Sequence, residues 1–427
     1  MRIMSSERSF RFSGIFINPA RLQNVARFWI VLAALVVAAC AAQQALAPVE
    51  PPAAASFDRA LVAKGAELAA LGNCATCHTA PGGKPYAGGR ALKTPFGTLY
   101  GTNITPDETG IGGWSEAAFR RAMREGLDRE GRHLYPAFPY EYYTKLADDD
   151  IRALYAYLMT REPVRAQNRP HALRFPFNLR GLLGTWKALY FRPDARKSAP
   201  ANRGAYLAEG LAHCGACHTP RSALGAELKD RPFAGGEAEG WHAPALNESN
   251  PAPVPWSAAQ LFTYLRTGIE AQHAIAAGPM EPVVRNLARV SEDDVRALAD
   301  YFAALLPPGP RPRPEAKPDS GGPGAAIYAG ACGVCHDRGR DVTSGSGLQL
   351  ALASAVTVPT SRNLLRITLE GIAPPPGEPG RSMPGFAQAL TDAQVKTLMH
   401  YSRSRFGGGL PPWNDVDEAL REAREGK

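Results

Sequence analysis

Cys74-Ala75-Thr76-Cys77-His78 (CATCH, residues 74–78) decides the reading of this chain. Two cysteines separated by two residues and followed at once by histidine form C-x-x-C-H, the attachment signal of c-type haem. The chemistry explains the spacing. Two thiols add to the two haem vinyl groups, and the adjacent histidine is then placed under the iron. The pattern returns at Cys214-Gly215-Ala216-Cys217-His218 and at Cys332-Gly333-Val334-Cys335-His336, so six of the seven cysteines fall in three copies. A zinc site would use C-x-x-C pairs at closer spacing. A dithiol redox motif would stand once, in a βαβ pattern. Three copies predict three covalently bound haem c groups. Cys74, Cys77, Cys214, Cys217, Cys332 and Cys335 are the thioether sites, and His78, His218 and His336 are the proximal iron ligands.

The segments around the motifs repeat as well. A short helical pattern with Gly-Ala precedes each one: GAELAALGNC from Gly65, GAYLAEGLAHC from Gly204 and GAAIYAGAC from Gly324. After each motif comes a loop and a helical pattern closed by glycine. These are WSEAAFRRAMREG (114–126), WSAAQLFTYLRTG (256–268) and SRNLLRITLEG ending at Gly371. The closing glycine suits a left-handed C-cap. Each repeat ends in a second amphipathic pattern, DDDIRALYAYL (148–158), EDDVRALADYF (292–302) and TDAQVKTLMHY (391–401). Asp148, Asp149 and Asp150 read as helix-capping residues. A first and last helix around a haem predict an all-α fold of three tandem class I cytochrome c domains, at 58–165, 196–306 and 321–410. Residues 166–195 join the first two domains and read as an inter-domain packing segment. The Pro-rich stretch 307–320 reads as an extended linker.

The repeats also serve as a ruler for the sixth ligands. Twelve residues on from Gly268 stands Met280, and twelve on from Gly371 stands Met383. A thioether there would face His218 and His336 across the iron, and His/Met ligation is electron-transfer chemistry. The same count from Gly126 gives Phe138, in HLYPAFPY (133–140), which cannot ligate. Three alternatives are open for the first iron: His133, then Met123, then no protein ligand. Met123 aligns with Leu265 and so reads as a core residue.

Residues 1–47 read as an export and anchor region. Phe28 to Ala39 is a short apolar run behind scattered arginines, and VAAC at 37–40 resembles a lipoprotein signal with Cys40 as the lipidated residue. A signal-peptidase site at ALA (45–47) and an uncleaved anchor are the other readings. Residues 1–39 carry five Arg and one Glu, so the formal charge of +8 falls to +8 − 4 = +4 from Cys40 onward. The basic balance is no argument for nucleic acid.

GTNITPD (101–107), LYPAFPY (134–140), CGACHTPRSALGAE (214–227), GPM (278–280) and MPGF (383–386) together resemble the tri-haem cytochrome c subunits of bacterial membrane-associated dehydrogenases. The resemblance runs from about Ala60 to Trp413. It implies an electron-transfer subunit without catalysis of its own. Such a subunit is periplasmic, associated with the outer face of the cytoplasmic membrane. It would take electrons from a dehydrogenase catalytic subunit and pass them to quinone, a terminal oxidase or another cytochrome. Relatives in the alcohol and sugar branches read PAMPY where this chain has PAFPY. With AEGWHAPALN (238–247) and PAPVPW (251–256), that looks more like the branch paired with molybdenum-containing aldehyde or N-heterocycle hydroxylases. Quinoprotein and flavoprotein partners are the alternatives. Two rivals remain from other classes: a peroxidase-like haem enzyme using an open first iron, and a ligand sensor.

Overall fold

The computed structural model describes residues 44–194, 199–307, 316–318, 321–337, 347–374 and 383–426. Cys40, the apolar run before it and most of the Pro-rich stretch lie outside the described residues. No described helix is long and apolar enough to cross a membrane.

The same four-part plan occurs three times. The first unit has α1 (Arg59–Leu71), α2 (Cys74–His78), α3 (Glu116–Glu125) and α4 (Asp148–Met159). α5 (Leu182–Tyr190) lies in the connecting segment. The middle unit has α6 (Arg203–Tyr206), α7 (Gly215–His218), α8 (Ala258–Thr267), α9 (Met280–Leu287) and α10 (Glu292–Leu305). The third has α11 (Pro323–Ala331), α12 (Gly333–His336), α13 (Arg362–Glu370) and α14 (Asp392–Phe406), with α15 (Val416–Arg424) beyond the expected end at 410.

In each unit the first helix crosses the last: α1 on α4, α6 on α10 and α11 on α14. The Gly-Ala pattern makes this crossing close. A Cβ on Gly65 would lie 2.0 Å from the Ala153 carbonyl oxygen, and one on Gly204 2.2 Å from that of Ala297. On Gly324 it would meet Tyr401 Cβ at 2.6 Å. Only glycine lets the backbones approach this far. Two of the helices before the distal loops end in the left-handed cap that their sequences predict, whereas Gly371 closes the third at φ 75° and ψ −173°, outside the left-handed helical region. Gly126 and Gly268 take left-handed caps at φ 62° and 76°. Ser115 and Ser257 cap the same two helices at their starts, accepting from Ala118 N and Gln260 N.

Two expectations need correction. The chain is mostly helical but not all-α. Strands β1 (Ala91–Thr94), β2 (Gly97–Tyr100) and β3 (Ala172–Leu173) form one antiparallel sheet. β4 (Gly236–Ala238) with β5 (Trp241–Ala243), and β6 (Ile269–Glu270) with β7 (Ala274–Ile275), form two hairpins. The loops between the helices must satisfy their own backbone groups, and short antiparallel pairs do this. The acidic run 148–150 does not supply the cap of α4. That position is Ala147, with no side-chain cap. Asp148 instead pairs with Arg124 at 2.9 Å, and Asp150 is buried against the middle unit.

The units are joined by specific polar contacts. The Tyr206 hydroxyl donates to Asp150 at 2.6 Å. The Tyr142 hydroxyl donates to Glu227 at 2.7 Å. Between the middle and third units the Asn363 amide pairs like a strand with the His242 backbone, accepting from its N–H at 2.9 Å and donating to its carbonyl at 2.8 Å. The connecting segment packs on both neighbouring units. Trp186 donates to the Leu224 carbonyl at 3.0 Å, and Phe191 stacks edge-on against Tyr140. Yet Phe175 and Leu189 are 78% and 67% exposed, so the segment also presents an apolar face.

Candidate metal centres

The three motif histidines are prepared in the same way. His78 Nδ1 lies 2.7 Å from the Thr102 carbonyl oxygen, His218 Nδ1 2.6 Å from that of Pro244, and His336 Nδ1 2.7 Å from that of Leu348. A carbonyl only accepts, so each Nδ1 carries the proton and each Nε2 keeps a free lone pair. This is the tautomer and orientation that a metal-bound imidazole needs. Burial also holds His78 and His218 below the usual histidine range, hence neutral.

The second cysteine of the first two motifs is pressed against glycine. A Cβ on Gly101 would lie 1.9 Å from the Cys77 carbonyl oxygen, and one on Gly236 2.4 Å from that of Cys217. The GTNITPD segment therefore does two things. Gly101 allows the approach, and Thr102 orients His78. Asn103, 3% exposed, locks the turn by donating to the Val164 carbonyl at 2.8 Å and accepting from Thr105 N at 2.9 Å.

All six motif cysteines are free of disulfides. Burial pushes the thiols of Cys74 and Cys214 up to about 12, and those of Cys77 and Cys332 to about 11. At neutral pH these groups are protonated thiols. Among the described residues no group of three His, Cys, Asp or Glu is arranged to hold a metal ion by itself.

One cavity of about 1030 Å³ runs through the molecule, lined by residues of all three motifs. His218, Met280, His336 and Met383 all face it, as do Cys77, Cys217 and Cys335. Single small-ligand sites span roughly 300–1,000 Å³, and this space stands at the top of that range. Its apolar walls and prepared histidines fit haem c. Trp256 also lines it. His273, fully buried, stacks on Trp256 at 3.7 Å with neither ring nitrogen hydrogen-bonded. Neither motif nor spacing in the sequence points to His273.

The chain is similar to known proteins over nearly its whole length. A family described as cytochrome c matches residues 62–162, and one described as cytochrome c oxidase, cbb3-type, subunit III matches 320–401. The chain is 35% identical to the gluconate 2-dehydrogenase cytochrome c subunit of Pantoea cypripedii, over 82% of this chain and 86% of that one. The chain belongs to the cytochrome c subunits of bacterial dehydrogenases. It is also 34% identical to the cytochrome c subunit of the quinone alcohol dehydrogenase of Gluconobacter oxydans, over 83% of this chain and 80% of that one. A third relative, a nicotinate dehydrogenase subunit from Pseudomonas putida, is 46% identical over 89% of this chain, which spans only 33% of that protein. The cytochrome subunit is thus an electron-transfer protein whose domains hold covalently bound haem c.

Within this cytochrome subunit the distal residues are less uniform than the proximal ones. Just after each closing glycine, an isolated antiparallel bridge pairs Leu127 with His133, the β6–β7 hairpin pairs Ile269 with Ile275, and a second isolated bridge pairs Ile372 with Met383. By that register Met383 stands where the other units have His133 and Ile275, not where they have Phe138 and Met280. The twelve-residue count reaches Met383 because the third loop is longer. Phe138 packs edge-on against Tyr143 at 5.3 Å. His133 Nδ1 lies 3.4 Å from Lys187 Nζ of α5. Lys187 in turn donates to the carbonyl oxygens of Glu125 and Gly126. Met123 is 4% exposed on α3.

Proposed function

We propose that the chain is a tri-haem relay in three tandem class I cytochrome c domains, 58–165, 196–306 and 321–410. The observation that carries this is the threefold recurrence of a C-x-x-C-H histidine whose Nδ1 donates to a backbone carbonyl. The middle unit, which neither family description covers, has it in the same form. Bound haem c supplies a reversible one-electron change at iron. The six cysteines anchor it, His78, His218 and His336 hold the proximal side, and Met280 and Met383 hold the distal side of the second and third centres.

Electrons enter from a dehydrogenase catalytic subunit. The molybdenum hydroxylase type is favoured over quinoprotein and flavoprotein partners by PAFPY. Identity of 46% to a subunit of nicotinate dehydrogenase, against 34% and 35% to the alcohol and gluconate subunits, supports the same choice, nicotinate being an N-heterocycle. They leave to quinone, a terminal oxidase or another cytochrome. The location is the outer face of the bacterial cytoplasmic membrane, with Cys40 as the lipidation site. The peroxidase-like alternative gains no support, since the relatives carry the names of cytochrome subunits. Haem content per chain after denaturation tests the reading. Three are expected, and two or fewer would sink it.

A further inference from the structure

The helices α3, α8 and α13 end at equivalent glycines, so positions along them can be matched. Three residues before the glycine stand Met123, Leu265 and Thr368. Leu265 and Thr368 both line the large cavity. Seven residues before it stand Phe119, Leu261 and Leu364, and the latter two line it as well. By that alignment α3 would turn the face that carries Phe119 and Met123 toward the first haem, and both residues are buried in the core that the first and middle units share. Met123 is a buried core residue, as its alignment with Leu265 leads one to expect, but that alignment also matches it to a residue of the cavity wall. Leu265 is itself a cavity residue.

The other methionine of the first unit, Met159, lies on α4. Matched by the helix-crossing glycines, which meet Tyr157, Tyr301 and Tyr401 alike, its equivalents are Ala303 and Arg403, and neither lines the cavity, whereas the neighbouring Phe302 and Ser402 do. Met123 is thus the methionine of the described first unit on a haem-facing position. The exchange with the middle unit is reciprocal. There the helix position is Leu265 and the loop position Met280. In the first unit the helix position is Met123 and the loop position Phe138.

His133 is differently disposed. The Lys187 ammonium has protons to donate and no lone pair to accept with, so the contact at 3.4 Å assigns the proton of a neutral His133 to Nε2. That is the opposite tautomer from the three motif histidines.

We propose that Met123 supplies the sixth ligand of the first haem, the thioether coming from α3 while Phe138 fills the space the loop methionine would take. This deepens the tri-haem reading and rests on it. The test is near-infrared magnetic circular dichroism of the oxidised, haem-loaded full chain, with haem content measured on the same sample. Three His/Met haems are expected. Met123→Leu should leave two, the third becoming high-spin, and Met123→Leu with Phe138→Met should restore three. His133→Ala should still show three. Three haems with only two His/Met signals in the unaltered protein would overturn the assignment while leaving the tri-haem reading intact. A content of two or fewer would instead overturn that reading. The count on the unaltered protein decides by itself, so a variant that fails to fold does not remove the test.

Discussion

The hydroxyl of Tyr206 and the carboxylate of Asp150 meet at 2.6 Å inside the contact between the first and middle units, each residue only 4% exposed. Asp150 also holds Lys64 at 2.7 Å, and the Tyr206 oxygen accepts from Ala147 N at 2.9 Å. The tyrosine thus satisfies a buried carboxylate and a helix-start N–H together. Leaving such groups unpaired costs about 1–3 kcal/mol. Tyr206→Phe should destabilise the chain by that order in urea unfolding. An unchanged midpoint would mean that water serves the carboxylate equally well.

Gly101→Ala should remove the first haem selectively. The added carbon would start 1.9 Å from the Cys77 carbonyl oxygen, and the loop would have to retreat and take Thr102 away from His78. Haem content should fall from three per chain to two. A full complement would show that the loop shifts without losing the histidine.

Met280→Leu and Met383→Leu should each abolish one His/Met signal and lower the reduction potential of that centre, because methionine ligation raises it. Redox titration followed optically checks this. Unchanged potentials in either variant would remove that methionine from the ligand set.

Glu141 faces Glu227, Arg221 and Lys229 of the middle unit and its own neighbour Lys145. Burial, then the Glu227 carboxylate, push its carboxyl up to about 7 from an ordinary 4.5. The folded protein therefore keeps a proton that the unfolded chain releases. The stability this confers is full below about pH 4.5 and is lost as pH rises through about 7. Glu141→Gln should be more stable than the parent at about pH 8 and equal to it at about pH 4. Parallel stability curves for the two proteins across that range would show that the carboxyl titrates normally.

Much of this protein is legible in its residues. Three C-x-x-C-H copies name the cofactor chemistry, because two thiols and an imidazole in that spacing fix both attachment and ligation. Amphipathic periodicity and closing glycines locate the helices, because local backbone and burial preferences act within a few residues. Tertiary structure alone decided the rest. The carbonyls that orient the motif histidines lie 24, 26 and 12 residues away, and a backbone oxygen leaves no mark in side-chain identity. An isolated backbone bridge placed Met383 opposite Ile372, where spacing alone groups it with Met280. Whether Met123 is core or ligand-facing, and which tautomer Lys187 imposes on His133, depend on neighbours that only the folded chain brings within reach.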